Sequence, residues 1–220
     1  YDLFHSMQYM ADIIRHLPQM RGYDVVQVTN PVFFDLRPEK NWAIFKYLKK
    51  HNKKIFLDAL ATDHYYVKAC LDGKTFRYSD FFVGDRPLPH PEREKMLAAW
   101  IGGPNERPNI EMAQEANGII ACLYEYYAAY QPEYADKLAY IPIPIDLSIN
   151  PFHPIKSTPE VVKFFIGIQQ HRTAIKGTDI LLDVLREIHD KYPRESHIQK
   201  VVSVPFDEYN KLLVDLSLIH

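Results

Sequence analysis

The 220-residue chain has only two cysteines, no long apolar run and almost no net charge. Cys70 and Cys122 lie far apart and outside any metal-binding spacing, so we expect reduced thiols in a cytoplasmic protein. No apolar stretch approaches the roughly 20 residues that a membrane-spanning helix needs, and the sequence predicts no secretion signal. A net charge of -2 argues against a nucleic-acid partner. The sequence shows neither a repeat of fixed period nor a low-complexity tract.

Apolar residues make up 47% of the chain, which is enough to build a buried core. Their spacing predicts helices over 2–16, 42–50, 111–116 and 125–135, and strands over 24–28, 55–61, 118–123 and 138–141. An irregular stretch over 71–109, with one short helix predicted near 92–100, interrupts this order with an excursion over the surface. The alternation of helices and strands indicates an α/β fold with a parallel sheet.

The composition changes after residue 146, where DLSINPFHPIKSTP is rich in proline and polar residues. We therefore predict an N-terminal domain over 1–146, a linker over 147–159 and a second α/β domain over 160–220. The chain begins at Tyr1 inside a predicted helix and ends just after an apolar run. For this reason we expect both domains to be incomplete.

The second domain opens with a strand, a basic loop and a helix. The strand is predicted over 161–166, and apolar residues at helical spacing predict a helix over 180–188. A further strand is predicted over 200–204. The loop between them, GIQQHRTAIKGT, contains Arg172 and Lys176 but no acid, and Thr178 is a candidate N-cap. A basic loop at a strand end and a helix N-terminus favours a phosphate or diphosphate ligand. The alternative is a solvated loop whose charges only aid solubility.

Three stretches of this sequence resemble motifs of one enzyme family. Residues 164–188, FFIGIQQHRTAIKGTDILLDVLREI, are similar to a motif of the form FVGR…KGxDLLLEAF. Residues 116–146 are similar to a strand and helix that lead into VIPNGID. The segments YDVVQVTNP and KKIFLDALATDHYY are similar to two strand ends, of the forms DVVHxH and xxTxHG. Together they resemble GT-B glycosyltransferases of the family-4 type, also called group 1 glycosyl transferases.

This resemblance implies two Rossmann-like domains, an acceptor-side domain over 1–146 and a nucleotide-sugar-binding domain over 160–220. It further implies a retaining, metal-independent hexosyltransferase that needs no cofactor and acts in surface polysaccharide biosynthesis. The donor would be a UDP- or GDP-sugar, and the acceptor a glycan or a lipid-linked glycan. Two other functions stay open: a GT-B sugar epimerase and a non-catalytic α/β interaction module.

The resemblance also assigns roles to single residues. Those implied to bind the donor diphosphate are Gly167, Arg172, Lys176 and Gly177. Asp63 and His64 follow a strand end and are candidates for catalysis; their alternatives are helix capping and an ordinary surface histidine. Asn30 and Glu125 are candidates for the acceptor cleft, although an Asn-Pro turn explains Asn30 equally well.

The sequence departs from the family pattern at several points. Ile168 stands where the family has an arginine, and Ile143 and Pro144 replace its usual Asn-Gly. The pair of glutamates that holds the donor sugar in the family would fall after His220.

A lysine cluster lies at the end of the second predicted helix. Its members are Lys46, Lys49, Lys50, Lys53 and Lys54, and we expect them to share one exposed surface. This patch favours peripheral contact with an anionic membrane at its inner, cytoplasmic face. A solvated helix end with favourably placed cations is the alternative.

Overall fold

A computed structural model describes residues 3–87, 93–144, 146, 148, 159–168, 176–212 and 218–219. The chain divides into two compact units, Tyr1–Pro144 and Ile145–His220. Apart from residues 148 and 159, the predicted linker over 147–159 lies outside the described residues.

The first unit alternates helices and strands. Its helices are α1 (Leu3–His16), α2 (Pro38–His51), α3 (His64–Leu71), α4 (Arg93–Trp100), α5 (Glu106–Glu115) and α6 (Tyr124–Tyr134). Its strands are β1 (Val25–Val28), β2 (Lys54–Ala59), β3 (Phe82–Val83), β4 (Arg86–Pro87), β5 (Gly118–Ala121) and β6 (Leu138–Tyr140). Strands β1, β2, β5 and β6 form a parallel sheet in that order, while β3 and β4 pair in an antiparallel hairpin. The predicted α/β class and parallel sheet are therefore confirmed, and the topology is compatible with a Rossmann-like fold.

The core of the first unit lies on one face of the sheet. The strand order follows the chain order, so right-handed crossovers place successive helices on the same side. Ile55, Leu57 and Ala59 of β2 are buried in one cluster with side chains from α2, α3, α5 and α6. Phe56 and Asp58 alternate with them, so they point to the opposite face.

Gly118 makes room for Phe56 on that opposite face. The two residues are partners in the register of β2 and β5. A Cβ atom at position 118 would lie 2.6 Å from the ring of Phe56. The aromatic ring thus covers the glycine, and the close approach of the two residues requires the absence of a side chain there.

The second unit contains β7 (Val162–Ile168), α7 (Thr178–Lys191), β8 (Ser196–Val202), α8 (Phe206–Leu212) and β9 (Leu218–Ile219). The strands form a parallel sheet in the order β8-β7-β9, so β7 is central. Phe165 and Ile166 of β7 are buried, as are Leu185 of α7 and Val201 of β8. The amphipathic helix predicted over 180–188 thus contributes Leu185 to the core of this unit.

Candidate functional site

The junction of β7 and α7 is the part of the second unit that the sequence marks as a phosphate site. Lys176 is exposed directly before the helix, and Gly177 is the N-cap residue in a left-handed conformation, with φ 63° and ψ 21°. Gly167 is half-buried at the end of β7, where a Cβ atom would lie 3.4 Å from the hydroxyl of Tyr209. Arg172 lies in 169–175, outside the described residues.

The N-terminus of α7 differs from the predicted one by one position. Thr178 is the first helical residue and is buried, whereas Gly177 occupies the cap and supplies no side-chain oxygen. Leu181 makes the first helical hydrogen bond, to the carbonyl of Gly177, at 3.1 Å. No side chain of the described residues caps the preceding N–H groups, which suits an anionic ligand. Asp179, an exposed acid, lies in this first turn, and its negative charge opposes the binding of an anion there.

Two residues other than glycine adopt left-handed backbone conformations among the described residues. Ala61, with φ 69°, follows β2, and Ser203, with φ 52°, follows β8. Both therefore lie at carboxyl ends of parallel strands, where α/β proteins bind their ligands. Such conformations cost energy in a residue with a Cβ atom and concentrate at functional positions.

Asp63 is fully buried and caps α3. Its Oδ1 accepts a hydrogen bond from the backbone N–H of Tyr66 at 2.8 Å, and its Oδ2 accepts one from the hydroxyl of Tyr130 at 2.7 Å. Burial raises the pKa of Asp63 to about 6, although these hydrogen bonds oppose the shift. The helix-capping alternative from the sequence matches this geometry.

His64 is also buried, unlike the surface histidine that the sequence left as an alternative. Its Nδ1 lies 2.9 Å from the carbonyl oxygen of Trp100, so Nδ1 carries the proton and donates it. The backbone N–H of His64 donates to Oδ1 of Asn109 at 2.9 Å. Oε1 of Glu106 lies 4.0 Å from Nδ1 of His64. These contacts hold His64 between α4 and α5.

A tyrosine network continues from Asp63. The amide of Asn109 donates to the hydroxyl of Tyr130 at 3.3 Å, and the hydroxyls of Tyr65 and Tyr134 lie 2.5 Å apart. Burial raises the pKa of Tyr65 and of Tyr130 well above the usual value. Both tyrosines therefore keep their hydroxyl protons at neutral pH. The rings of Tyr65 and Tyr130 lie 4.4 Å apart between centroids, so the network connects α3, α5 and α6.

Asn30 and Glu125 lie near the carboxyl ends of β1 and β5. The side-chain oxygen of Asn30 accepts from the backbone N–H of Val32 at 2.7 Å, which is the turn that the Asn-Pro sequence suggested. Glu125 is half-buried in the first turn of α6. The side-chain oxygen of Asn30 thus stabilises a local turn, whereas Glu125 lies next to the carboxyl edge of the sheet.

The sequence did not single out a polar pair on β1 and β2. Gln27 donates from Nε2 to both carboxylate oxygens of Asp58, at 3.0 and 2.8 Å. Burial raises the pKa of Asp58, and the hydrogen bonds from Gln27 oppose that shift. The feature of the sequence that could have indicated this pair is Asp58 itself, an acid inside a buried strand on the face away from the core.

The basic cluster at the end of α2 is partly neutralised. All five lysines are exposed, but Lys49 forms an ion pair with Glu115 and Lys53 forms one with Asp24. Lys46 lies over the ring of Trp42 at 5.3 Å. The patch therefore carries less net charge than the sequence indicates.

Three further properties concern only the part of the chain that the structure describes. Cys70 and Cys122 are both free and buried. No group of three or more histidine, cysteine or acidic side chains there could hold a metal ion. No described helix is both long and apolar enough to cross a membrane.

Comparisons of the chain with protein-family models, with curated proteins and with solved structures returned no match.

Proposed function

We propose that the protein is a glycosyltransferase that transfers a hexosyl group from a UDP- or GDP-sugar to a glycan or lipid-linked acceptor. The observation that carries this proposal is the junction of β7 and α7. A central parallel strand, an exposed Lys176 and an N-cap without a side-chain oxygen lie in succession there. Such a junction suits the diphosphate of a nucleotide sugar.

The chemistry of transfer needs positive charge at this point. When the bond between the sugar and the diphosphate breaks, negative charge grows on the leaving phosphate oxygen. Lys176 and the N–H groups at the start of α7 stabilise that charge because they are in place before the reaction begins. Arg172 adds a second cation able to grip two phosphate oxygens at once.

The first unit takes the acceptor in this proposal. Asp63 and His64 act as positioning residues, because they are buried and hydrogen-bonded to Tyr130 and Trp100. They hold the start of α3 beside Ala61, whose left-handed backbone follows β2. Glu125, half-buried in the first turn of α6, is the proposed contact for an acceptor hydroxyl. The free thiols support our further proposal of a cytoplasmic location.

Calorimetric titration of UDP and GDP into the 220-residue chain tests the donor site. A charge-assisted phosphate contact contributes about 1.5–3 kcal/mol, so Lys176→Ala should weaken binding by roughly 10- to 100-fold. Lys191→Ala is the matched control, since Lys191 ends the same helix. Failure of the wild-type protein to bind either nucleotide would overturn the proposal.

Product analysis separates the proposed transferase from its alternatives. A transferase releases a nucleoside diphosphate and elongates the acceptor. An epimerase converts the sugar of the donor without elongating any acceptor. A non-catalytic module leaves a panel of UDP- and GDP-hexoses unchanged.

A further inference from the structure

Three tyrosines form an exposed aromatic cluster at the carboxyl edge of the first unit. Tyr124 begins α6, Tyr127 follows one turn later, and Tyr140 ends β6. The ring centroids of Tyr124 and Tyr127 are 5.9 Å apart, with their planes inclined by 26°. Tyr140 meets both rings edge-on, at 6.2 and 6.3 Å. We refer to these residues as the tyrosine cluster.

The rings are held in place but remain open to solvent. Tyr127 is half-buried and packs against the core, so it anchors the other two. Tyr124 is 67% exposed and Tyr140 is 47% exposed. Leu123 and Ile141 are exposed beside them in the chain. Neighbouring apolar side chains that are exposed to solvent in this way indicate a binding surface for a ligand or a partner.

The charge around the cluster restricts what it binds. Residues 121–130 and 138–144 contain a single charged side chain, Glu125. A phosphorylated ligand or an anionic membrane requires lysine or arginine, which these segments lack. A neutral ligand with both an apolar face and hydroxyl groups fits better. The C–H face of a pyranose ring can stack on tyrosine, while the phenol groups and Glu125 hydrogen-bond to its hydroxyls.

We propose that the tyrosine cluster is a binding site for a neutral saccharide. Its place at the carboxyl edge of the sheet makes it a subsite for the acceptor chain, a role that rests on the function proposed above. Binding itself does not depend on that function, because the cluster lies apart in the sequence from Lys176 and needs no donor. The two proposals can therefore fail separately.

Calorimetric titration of the 220-residue chain with maltohexaose, cellohexaose and mannohexaose tests the site. We expect at least one of these neutral hexasaccharides to bind. Tyr124→Ala and Tyr140→Ala should each weaken that binding by about 10-fold, because each removes a stacking ring. Tyr124→Phe keeps the ring and should stay within about threefold of the wild type. Tyr78→Ala is the matched control, since Tyr78 is 61% exposed and contacts Arg77.

The proposal is overturned if the wild type binds none of the three saccharides, or if the alanine variants bind as well as Tyr78→Ala. Two other ligands of this surface, a second copy of the chain and an anionic membrane, are tested by sedimentation of the same proteins, alone and with phosphatidylserine vesicles. A change there in Tyr124→Ala, without a change in saccharide binding, would assign the surface to a second copy or to a membrane. UDP and GDP titrations distinguish the two proposals. If the protein binds nucleotide but no saccharide, only the saccharide site is refuted. If it binds saccharide but no nucleotide, only the donor site is refuted.

Discussion

The hydroxyl of Tyr130 donates a 2.7 Å hydrogen bond to Oδ2 of Asp63, joining α6 to the N-terminus of α3 across 67 residues of sequence. The other carboxylate oxygen of Asp63 accepts from the backbone of Tyr66. The carboxylate thus has partners on both oxygens but no access to water. Two helices of the first unit therefore depend on an acid whose ionised form is disfavoured by burial.

This arrangement predicts a pH dependence of stability. The pKa of Asp63 rises from 3.8 to about 6 on folding, because the folded protein favours the protonated carboxyl group. The stability that this preference adds is fully present below pH 3.8 and is lost as the pH rises through 6. A shift of this size corresponds to about 3 kcal/mol. Asp63→Asn keeps the capping oxygen and cannot ionise. Relative to the wild type, the variant should therefore gain unfolding free energy between pH 4 and pH 7.

Urea unfolding of both proteins across this pH range measures the effect. Because all other titrating groups are shared, their contributions cancel to first order when the unfolding free energy of the wild type is subtracted from that of the variant. A difference that stays constant with pH would show that the carboxylate is not destabilised by its burial.

The donor side of the same bond gives a second prediction. Tyr130→Phe removes the hydroxyl but keeps the ring, so the buried carboxylate loses one hydrogen-bond donor. The expected loss is about 1–3 kcal/mol of unfolding free energy at pH 7. Tyr78→Phe, at an exposed position, should change stability by less than about 0.5 kcal/mol. Equal effects of the two substitutions in urea unfolding would contradict the importance of the Asp63 contact.

Two adjacent glycines should differ in their tolerance of alanine. A Cβ atom at Gly103 would lie 2.0 Å from the carbonyl oxygen of Ala98, a backbone atom that cannot move aside. Gly102 has φ 68° but open space around it. Gly102→Ala should therefore cost only the conformational penalty of about 1–2 kcal/mol. Gly103→Ala should cost about 3 kcal/mol or more. Thermal and urea unfolding compare the two, and a smaller loss at Gly103 would refute the steric argument.

The sequence predicted the parallel sheet and most of its elements because local signals coincide with tertiary packing. Its errors fall at helix starts and at one strand. Helix α2 begins at Pro38 instead of the predicted Trp42, because proline is well tolerated in the first turn. Helix α5 likewise begins at Glu106 and includes Pro108, whereas prediction began it at Glu111. Strand β8 runs over Ser196–Val202 instead of 200–204, since pairing with β7 extends it through polar residues.

The candidate site was harder to predict than the fold. Asp63 and His64 follow a strand end, and the sequence indicates that position correctly. Their environment depends on Tyr130 and Trp100, which lie 67 and 36 residues away, so a local pattern cannot show that both side chains are buried. The tyrosine cluster could not be predicted for the same reason. Tyr140 contacts α6 only because β6 pairs with β5.

The last prediction concerns turnover and follows from Lys176 at the start of α7. In the glycosyl transfer that we propose, charge on the departing diphosphate is greater in the transition state than in the bound donor, so Lys176 should stabilise the transition state more strongly. In Lys176→Ala, kcat should therefore fall in addition to the loss of donor affinity, and kcat/KM should fall further than the dissociation constant rises. Release of UDP or GDP from a panel of nucleotide hexoses, with oligosaccharide acceptor present, measures both quantities.

Lys191→Ala should leave both quantities unchanged, because Lys191 lies at the other end of α7. Arg172→Ala should reduce turnover less than Lys176→Ala, since Ile168 occupies the arginine position of the resembled family and Arg172 comes later in the loop. If Lys176→Ala weakens donor binding but preserves kcat, the lysine binds ground state and transition state equally. The growing charge on the leaving group must then be stabilised by other groups.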